Sequence, residues 1–141
     1  MPLSSAITAS ATALDAQRAR IEVAVSNIAN AESTRGPDGR PYRRRDVVLQ
    51  SEPIAPFDGE LGRAEAIGVR VDDIVEDQAE FRRRYEPSHP DADAEGFVAM
   101  PNVDVPEEMV DMLGATRAYQ ANLTAINLIR DTIQRALELG R

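Results

Sequence analysis

The chain has no cysteine, no tryptophan, no lysine and a single histidine, His89, and aromatic residues make up only 4% of its 141 positions. Without cysteine there is neither a disulfide framework nor a thiolate metal site. With so few aromatic rings, a core has to be built from aliphatic side chains. One histidine also leaves little material for acid–base or nucleophilic catalysis: no Ser/His/Asp order, H-E-x-x-H, P-loop or G-x-G-x-x-G is present. The lack of lysine leaves arginine as the whole basic complement, and the formal net charge is −8. An acidic chain repels phosphate, which argues against nucleic acid as a general partner. No apolar run approaches the length of a membrane span. Met1 to Ala13 lacks the basic and apolar regions of a secretory signal, so an uncleaved export route is expected if the protein works outside the cytoplasm.

Two long helices are expected. Leu3 to Asn30 contains neither proline nor glycine. Ile7, Leu14, Ile21 and Ile28 recur every seven residues, and at about 100° per residue they share one stripe with Leu3, Ala11 and Val25. Ala6, Ala13, Ala24 and Ala31 line a second, small-residue arc. Gly36 and Pro37 end any helix, after roughly 40 Å of it. The second helix starts at Asp104, a capping residue, with Pro106 in the first turn and Glu107 and Glu108 where the helix dipole favours acids. It runs to Leu139 with Gly140 as a C-terminal cap. Val105, Met112, Tyr119, Ile126 and Ile133 form its main apolar line, with Met109, Thr116, Leu123 and Leu137 beside it. Far from that line lie Val110, Gly114, Ala118, Ala121, Ala125 and Leu128. The polar residues occupy one narrow stripe, from Arg117 to Glu138. A helix apolar over most of its circumference needs cover on more than one side. Either other subunits supply that cover, or the middle of the chain folds back over it.

That middle, 36–103, reads as a small β domain of three to five strands. Expected strands are Tyr42–Gln50, Ile67–Val75 with its alternation of apolar and polar residues, Ala79–Tyr85 and Phe97–Met100. Ser51–Gly62, rich in proline and glycine, reads as loop. The fold class is therefore α+β, with a terminal helical domain (1–35 with 104–141) and an inserted β domain (36–103). The runs Arg43-Arg44-Arg45 and Arg82-Arg83-Arg84 read as solvated strand edge or loop. Asp91-Ala92-Asp93-Ala94-Glu95-Gly96 has the opening of a calcium loop, but the twelfth position is Asn102 where a bidentate Glu is required, so a surface turn is expected. Asn27, Asn30 and Asn122 lie on helices. They either set helix register by hydrogen bonding or face solvent.

Several segments carry a family resemblance. Ser26-Asn27-Ile28-Ala29-Asn30-Ala31-Glu32-Ser33-Thr34 resembles the signature closing the N-terminal helix of bacterial flagellar axial proteins, here with one residue more before the threonine. Val75-Glu76-Asp77-Gln78, His89-Pro90-Asp91-Ala92-Asp93, Met100-Pro101-Asn102-Val103-Asp104-Val105, Glu107-Glu108-Met109-Val110-Asp111-Met112 and Arg117-Ala118-Tyr119-Gln120-Ala121-Asn122 resemble the proximal-rod members of that group. Gly114 departs from the larger helix former expected there, and Ser51 to Ala66 matches no known pattern. The resemblance implies a structural subunit of the periplasmic rod of the basal body, with no catalysis, cofactor or metal and no membrane insertion. It implies export unfolded through the flagellar type III apparatus without cleavage, terminal helices paired as a coiled coil, and helical packing around a channel. Neighbours implied are the rod proteins FlgB, FlgF and FlgG and the adaptor FliE. Candidate assembly residues are Ile7, Leu14, Ile21, Asn27, Ile28 and Asn30 on the first helix. On the second they are Val110, Met112, Gly114, Tyr119, Ala121, Asn122, Ile126, Leu128 and Ile133. The alternatives are another axial or rod-junction protein, or an autonomous α+β domain binding calcium or a small partner through Asp91 to Glu95.

Overall fold

A computed structural model describes residues 3–54 and 66–139. The order of elements is α1 (Leu3–Ala29), β1 (Arg45–Ile54), β2 (Ala66–Glu76), β3 (Arg82–Tyr85), β4 (Phe97–Met100) and α2 (Val105–Leu139). Strands β1 and β2 form one two-stranded sheet, and β3 and β4 another. The expected α+β class holds, with a helix toward each end and a small β region between them.

The helices begin and end for local reasons. Asp104 caps α2: its side chain accepts from the Glu107 backbone N–H at 3.4 Å, and its carbonyl takes the Glu108 N–H at 3.0 Å. The side chain thus satisfies one of the orphan donors of the first turn, and the carbonyl starts the helical ladder. α1 closes with the Asn30 N–H on Ser26 O and the Ala31 N–H on Ile28 O, the latter spanning only three residues. Gly140, the expected cap of α2, lies outside the described residues.

The strands differ from expectation at their edges. β1 starts at Arg45 rather than Tyr42, because the Tyr42 N–H bonds Ser33 O and the Arg44 N–H bonds the Asn102 side chain. It continues through Pro53 to Ile54, where a loop was expected. A two-stranded sheet leaves each strand one free edge, and proline is tolerated there. β3 starts at Arg82 rather than Ala79, since the Asp77 and Ala79 carbonyls are held by the Arg43 guanidinium. β4 matches expectation.

The chain divides into two compact units. The first comprises 1–19, 48–73 and 114–141. Its described buried apolar side chains are Ala16, Ala66 and Ala115. Close approach replaces bulk here. The Thr12 hydroxyl accepts from the Val69 N–H at 3.2 Å, and a Cβ on Gly68 would meet that hydroxyl oxygen at 2.8 Å.

The second unit comprises 20–47 and 74–113. β3 and β4 pair antiparallel, Arg82 opposite Met100 and Tyr85 opposite Phe97. Val98 and Met100 are buried on one face while Ala99 between them is exposed, the alternation a pleated strand imposes. Pro101, Val103, Ala24 and Ala31 are buried with them. The link between β3 and β4 is a built turn. Asp93 Oδ1 accepts from the Glu95 and Phe97 N–H groups, Oδ2 accepts from Arg83 at 2.8 Å, and Gly96 takes a φ of 83°. These bonds, led by the Phe97 N–H, hold the Asp93 carboxyl below the usual carboxylate range.

Candidate functional site

Two features concentrate the unusual chemistry of the chain: a buried polar network in the second unit, and an uncovered apolar face along α2.

The network centres on Asn27, which is 1% exposed. An amide can make four hydrogen bonds, and this one makes them all. Nδ2 donates to Arg45 O at 2.8 Å and to Glu108 Oε2 at 2.9 Å. Oδ1 accepts from the Arg45 N–H and from the Tyr42 hydroxyl, each at 2.9 Å. Glu108 is 2% exposed, and its other oxygen accepts from Arg44 Nε at 2.5 Å. Asp46 and Asp111 lie within 3.7 Å of the same guanidinium. Burial alone would lower the Arg44 pKa, but the Glu108 carboxylate, with Asp46 and Glu107, outweighs it and leaves the guanidinium above its ordinary value. The Arg44 backbone is fixed as well, its N–H on Asn102 Oδ1 and its carbonyl accepting from the Asp77 N–H. Among the described residues no buried side-chain polar atom lacks a partner. A buried polar network that is fully paired specifies one arrangement, because any slip strands a buried group.

This corrects the reading of two motifs. Arg44 is not part of a solvated run but the partner of a buried acid, whereas Arg82, Arg83 and Arg84 are exposed as expected. Glu108 is not merely an acid suited to a helix N-terminus. Helical spacing places it among Val105, Met112 and Ala115 at three, four and seven residues, so a carboxylate on the apolar face was the available signal.

The three asparagines fare differently. Asn27 bonds across elements. Asn30, just past the end of α1, and Asn122 on α2 donate to the carbonyls of Ser26 and Ala118, four residues back. Asp91, the first residue of the calcium-like turn, accepts from the Thr34 hydroxyl at 2.9 Å and pairs with Arg35 at 3.4 Å. With Asp93 holding its own turn, both carboxylates are committed to protein partners. Among the described residues no group of three metal-ligating side chains gathers, and no helix is long and apolar enough to cross a membrane.

The apolar face is set by the two lines on α2. Met112, Tyr119, Ile126 and Ile133 are half-buried, as are Ile7, Leu14, Ile21 and Ile28 on α1. The second line is more open: Val110 is 69% exposed, Leu128 65%, and Gly114 and Ala121 are exposed with them, while Ala118 and Ala125 are half-buried. Among the described residues, nothing lies within 4 Å of where a Gly114 side chain would begin. Each large aliphatic left in water forgoes about 1.5–3 kcal/mol of burial.

The comparisons with known proteins bear on both features. Residues 7–37 match the family model for the flagella basal body rod protein, and 94–139 match that for the C-terminal region of the flagellar basal body rod FlgEFG protein. The flagellar basal-body rod protein FlgC of Escherichia coli O6:H1 is 48% identical over 130 residues, 92% of each chain. That of Bacillus subtilis is 43% identical over 96% of each, and that of Borreliella burgdorferi 40% identical over 99% of this chain and 98% of its own. The two matched regions hold Asn27 and Glu108, and both of the apolar lines.

Proposed function

The chain belongs to the family of flagellar basal-body rod proteins FlgC, and from that premise we propose how its two features serve it. It is a non-enzymatic structural subunit of the rod, the shaft that carries torque from motor to hook. The uncovered stripe of α2, Val110, Gly114, Ala121 and Leu128, packs against a neighbouring subunit. The half-buried lines of α1 and α2 pair the two helices as a coiled coil. In this reading 1–35 and 104–141 form the wall of a tube and 36–103 lies outside it. The other assembly residues, Asn30 and Asn122 among them, act through the helix faces they sit on. The neighbours are FlgB, FlgF, FlgG and the adaptor FliE. The subunit reaches the periplasmic rod through the flagellar export apparatus without cleavage.

The observation that carries this proposal is the exposure of large aliphatics along α2, Val110 and Leu128 among them. Torque demands contacts that do not slide, and interdigitated apolar helices provide them at about 0.8 kcal/mol per buried methylene. Leu128→Asp tests it. Since Leu128 is 65% exposed, the substitution should leave the monomer folded and expressed. A carboxylate at a packed interface would cost several kcal/mol. Electron microscopy of basal bodies should then show no rod beyond the point of failure, and swimming should be lost. Normal rods and normal motility would overturn the proposal.

A further inference from the structure

One arginine, anchored at its own backbone, reaches two acids on the first turns of α2. The Arg44 N–H bonds Asn102 Oδ1 and its carbonyl accepts from the Asp77 N–H, so the side chain starts from a fixed point. From there Nε bonds Glu108 at 2.5 Å, and Nη2 lies 3.7 Å from Asp111. The Arg44 side chain is 18% exposed and that of Asp111 48%. Arg20, Val23 and Ala24 of α1 border the same small hollow as Glu108 and Asp111. The clamped side of α2 is therefore the side turned to α1.

Residues three apart are neighbours on a helix surface. A single contact lets a helix swivel about it. Two contacts at this spacing, made by one planar guanidinium, define a face, and rotation about the helix axis draws one acid away from the fork. What rotation controls is the direction of the exposed line. At about 100° per residue, Val110, Gly114, Ala121 and Leu128 lie between about 120° and 160° round the helix from Glu108. With both acids held, that line points to solvent, as the exposure of Val110 and Leu128 records. A turn by one residue, about 100°, would carry it toward the side that α1 occupies.

We infer that Arg44 is a positioning residue for assembly: by holding Glu108 and Asp111 together it fixes the rotation of α2 and aims the line from Val110 to Leu128 at the neighbouring subunit. It rests on the reading of that line as the assembly face. The effect passes through α2 and needs no contact of Arg44 with the neighbour.

The test reads the rotation in the purified full-length chain. The chain has no cysteine, so Val110→Cys, Gly114→Cys, Ala118→Cys, Ala121→Cys and Ala125→Cys, made one at a time, each give a single site for a thiol reagent. Positions 110, 114 and 121 are exposed while 118 and 125 are half-buried, so the first three should label faster. Asp111→Asn removes the outer half of the clamp and leaves Arg44 on Glu108. A pair this exposed carries about a twofold to fivefold factor, and the contrast between fast and slow positions should fall by that much. Thermal unfolding should stay unchanged, and rods should form less readily. Arg44→Lys keeps the charge but loses the fork and should lower the contrast as well. Asp111→Glu should preserve it. An unchanged contrast in Asp111→Asn and Arg44→Lys, a uniform rise at all five positions, or an Asp111→Glu variant as poor as Asp111→Asn would overturn the inference. So would a lost contrast in a chain whose rods form normally. If Leu128→Asp abolishes rods while Asp111→Asn leaves the contrast intact, the Arg44 inference fails and the α2 interface stands. If Leu128→Asp swims normally, the reading beneath it fails whatever the contrast does.

Discussion

Replacing Asn27 by leucine isolates what the buried amide does, because the branching at Cγ is kept while all four hydrogen bonds go. The losses are unequal. The Tyr42 hydroxyl keeps Ser26 Oγ at 3.3 Å, so little is stranded there. Arg45 is exposed, so water recovers part of what its N–H and carbonyl lose. Glu108 Oε2 is the serious case: it sits on a residue 2% exposed and keeps only the pairing of its other oxygen with Arg44. A buried acceptor left unmade costs about 1–3 kcal/mol, and the two partly solvated backbone groups add about 0.5 kcal/mol each. Leucine returns some burial energy. The net loss expected is about 2–3 kcal/mol, roughly a 30- to 150-fold shift toward unfolding. Urea denaturation of the purified chain, followed by helical circular dichroism, measures it as a lower midpoint at unchanged slope. Tyr42→Phe should lose less than about 1 kcal/mol in the same assay, since the donation to Asn27 Oδ1 and the longer contact with Ser26 Oγ go but no charged atom is stranded. A change below about 0.5 kcal/mol for Asn27→Leu would refute the claim that this network holds the second unit together.

Two further expectations concern glycines. Gly68→Ala should destabilise the first unit by about 1–3 kcal/mol, the range for overpacking, because the new Cβ meets Thr12 Oγ1 at 2.8 Å and Ile54 at 3.2 Å; thermal unfolding reads it, and an unchanged midpoint would show that the contact yields. Gly114→Ala meets nothing within 4 Å and should stabilise the isolated chain by up to about 1 kcal/mol. Rod assembly at lower subunit concentration would show that the interface welcomes the methyl group, and poorer assembly would show that a neighbour occupies that space.

The helices, the cap at Asp104 and strand β4 were legible in the sequence because each depends on local patterning: apolar spacing, a short oxygen-bearing side chain, a short apolar run after a turn. The network was legible only in pieces. Asn27, Asp77, Asn102 and Glu108 all fall within segments that carried the resemblance, but their convergence depends on contacts up to 81 residues apart along the chain. Arg44 was hidden by its neighbours. Three consecutive arginines read as one charged run, although successive side chains of an extended segment face opposite ways and the middle one must part from its neighbours. The exposed line on α2 was legible as apolar. The cover proposed for it, a neighbouring subunit, is not part of one copy's fold and so leaves no local pattern to read.

The Asn27 amide takes both the N–H and the carbonyl of Arg45, as a neighbouring strand would. A helix side chain thus stands in for one rung of a ladder at the residue where β1 begins. This divides the connecting segment by its tolerance to insertion and deletion. Added residues between Gly36 and Pro41 lengthen a surface turn and leave every anchor where it is. One residue added between Arg44 and Arg45 moves Glu108's partner or Asn27's, and no shift of the strand restores both. Over generations of sequence drift the turn is free to vary in length, while the two arginines have to stay adjacent.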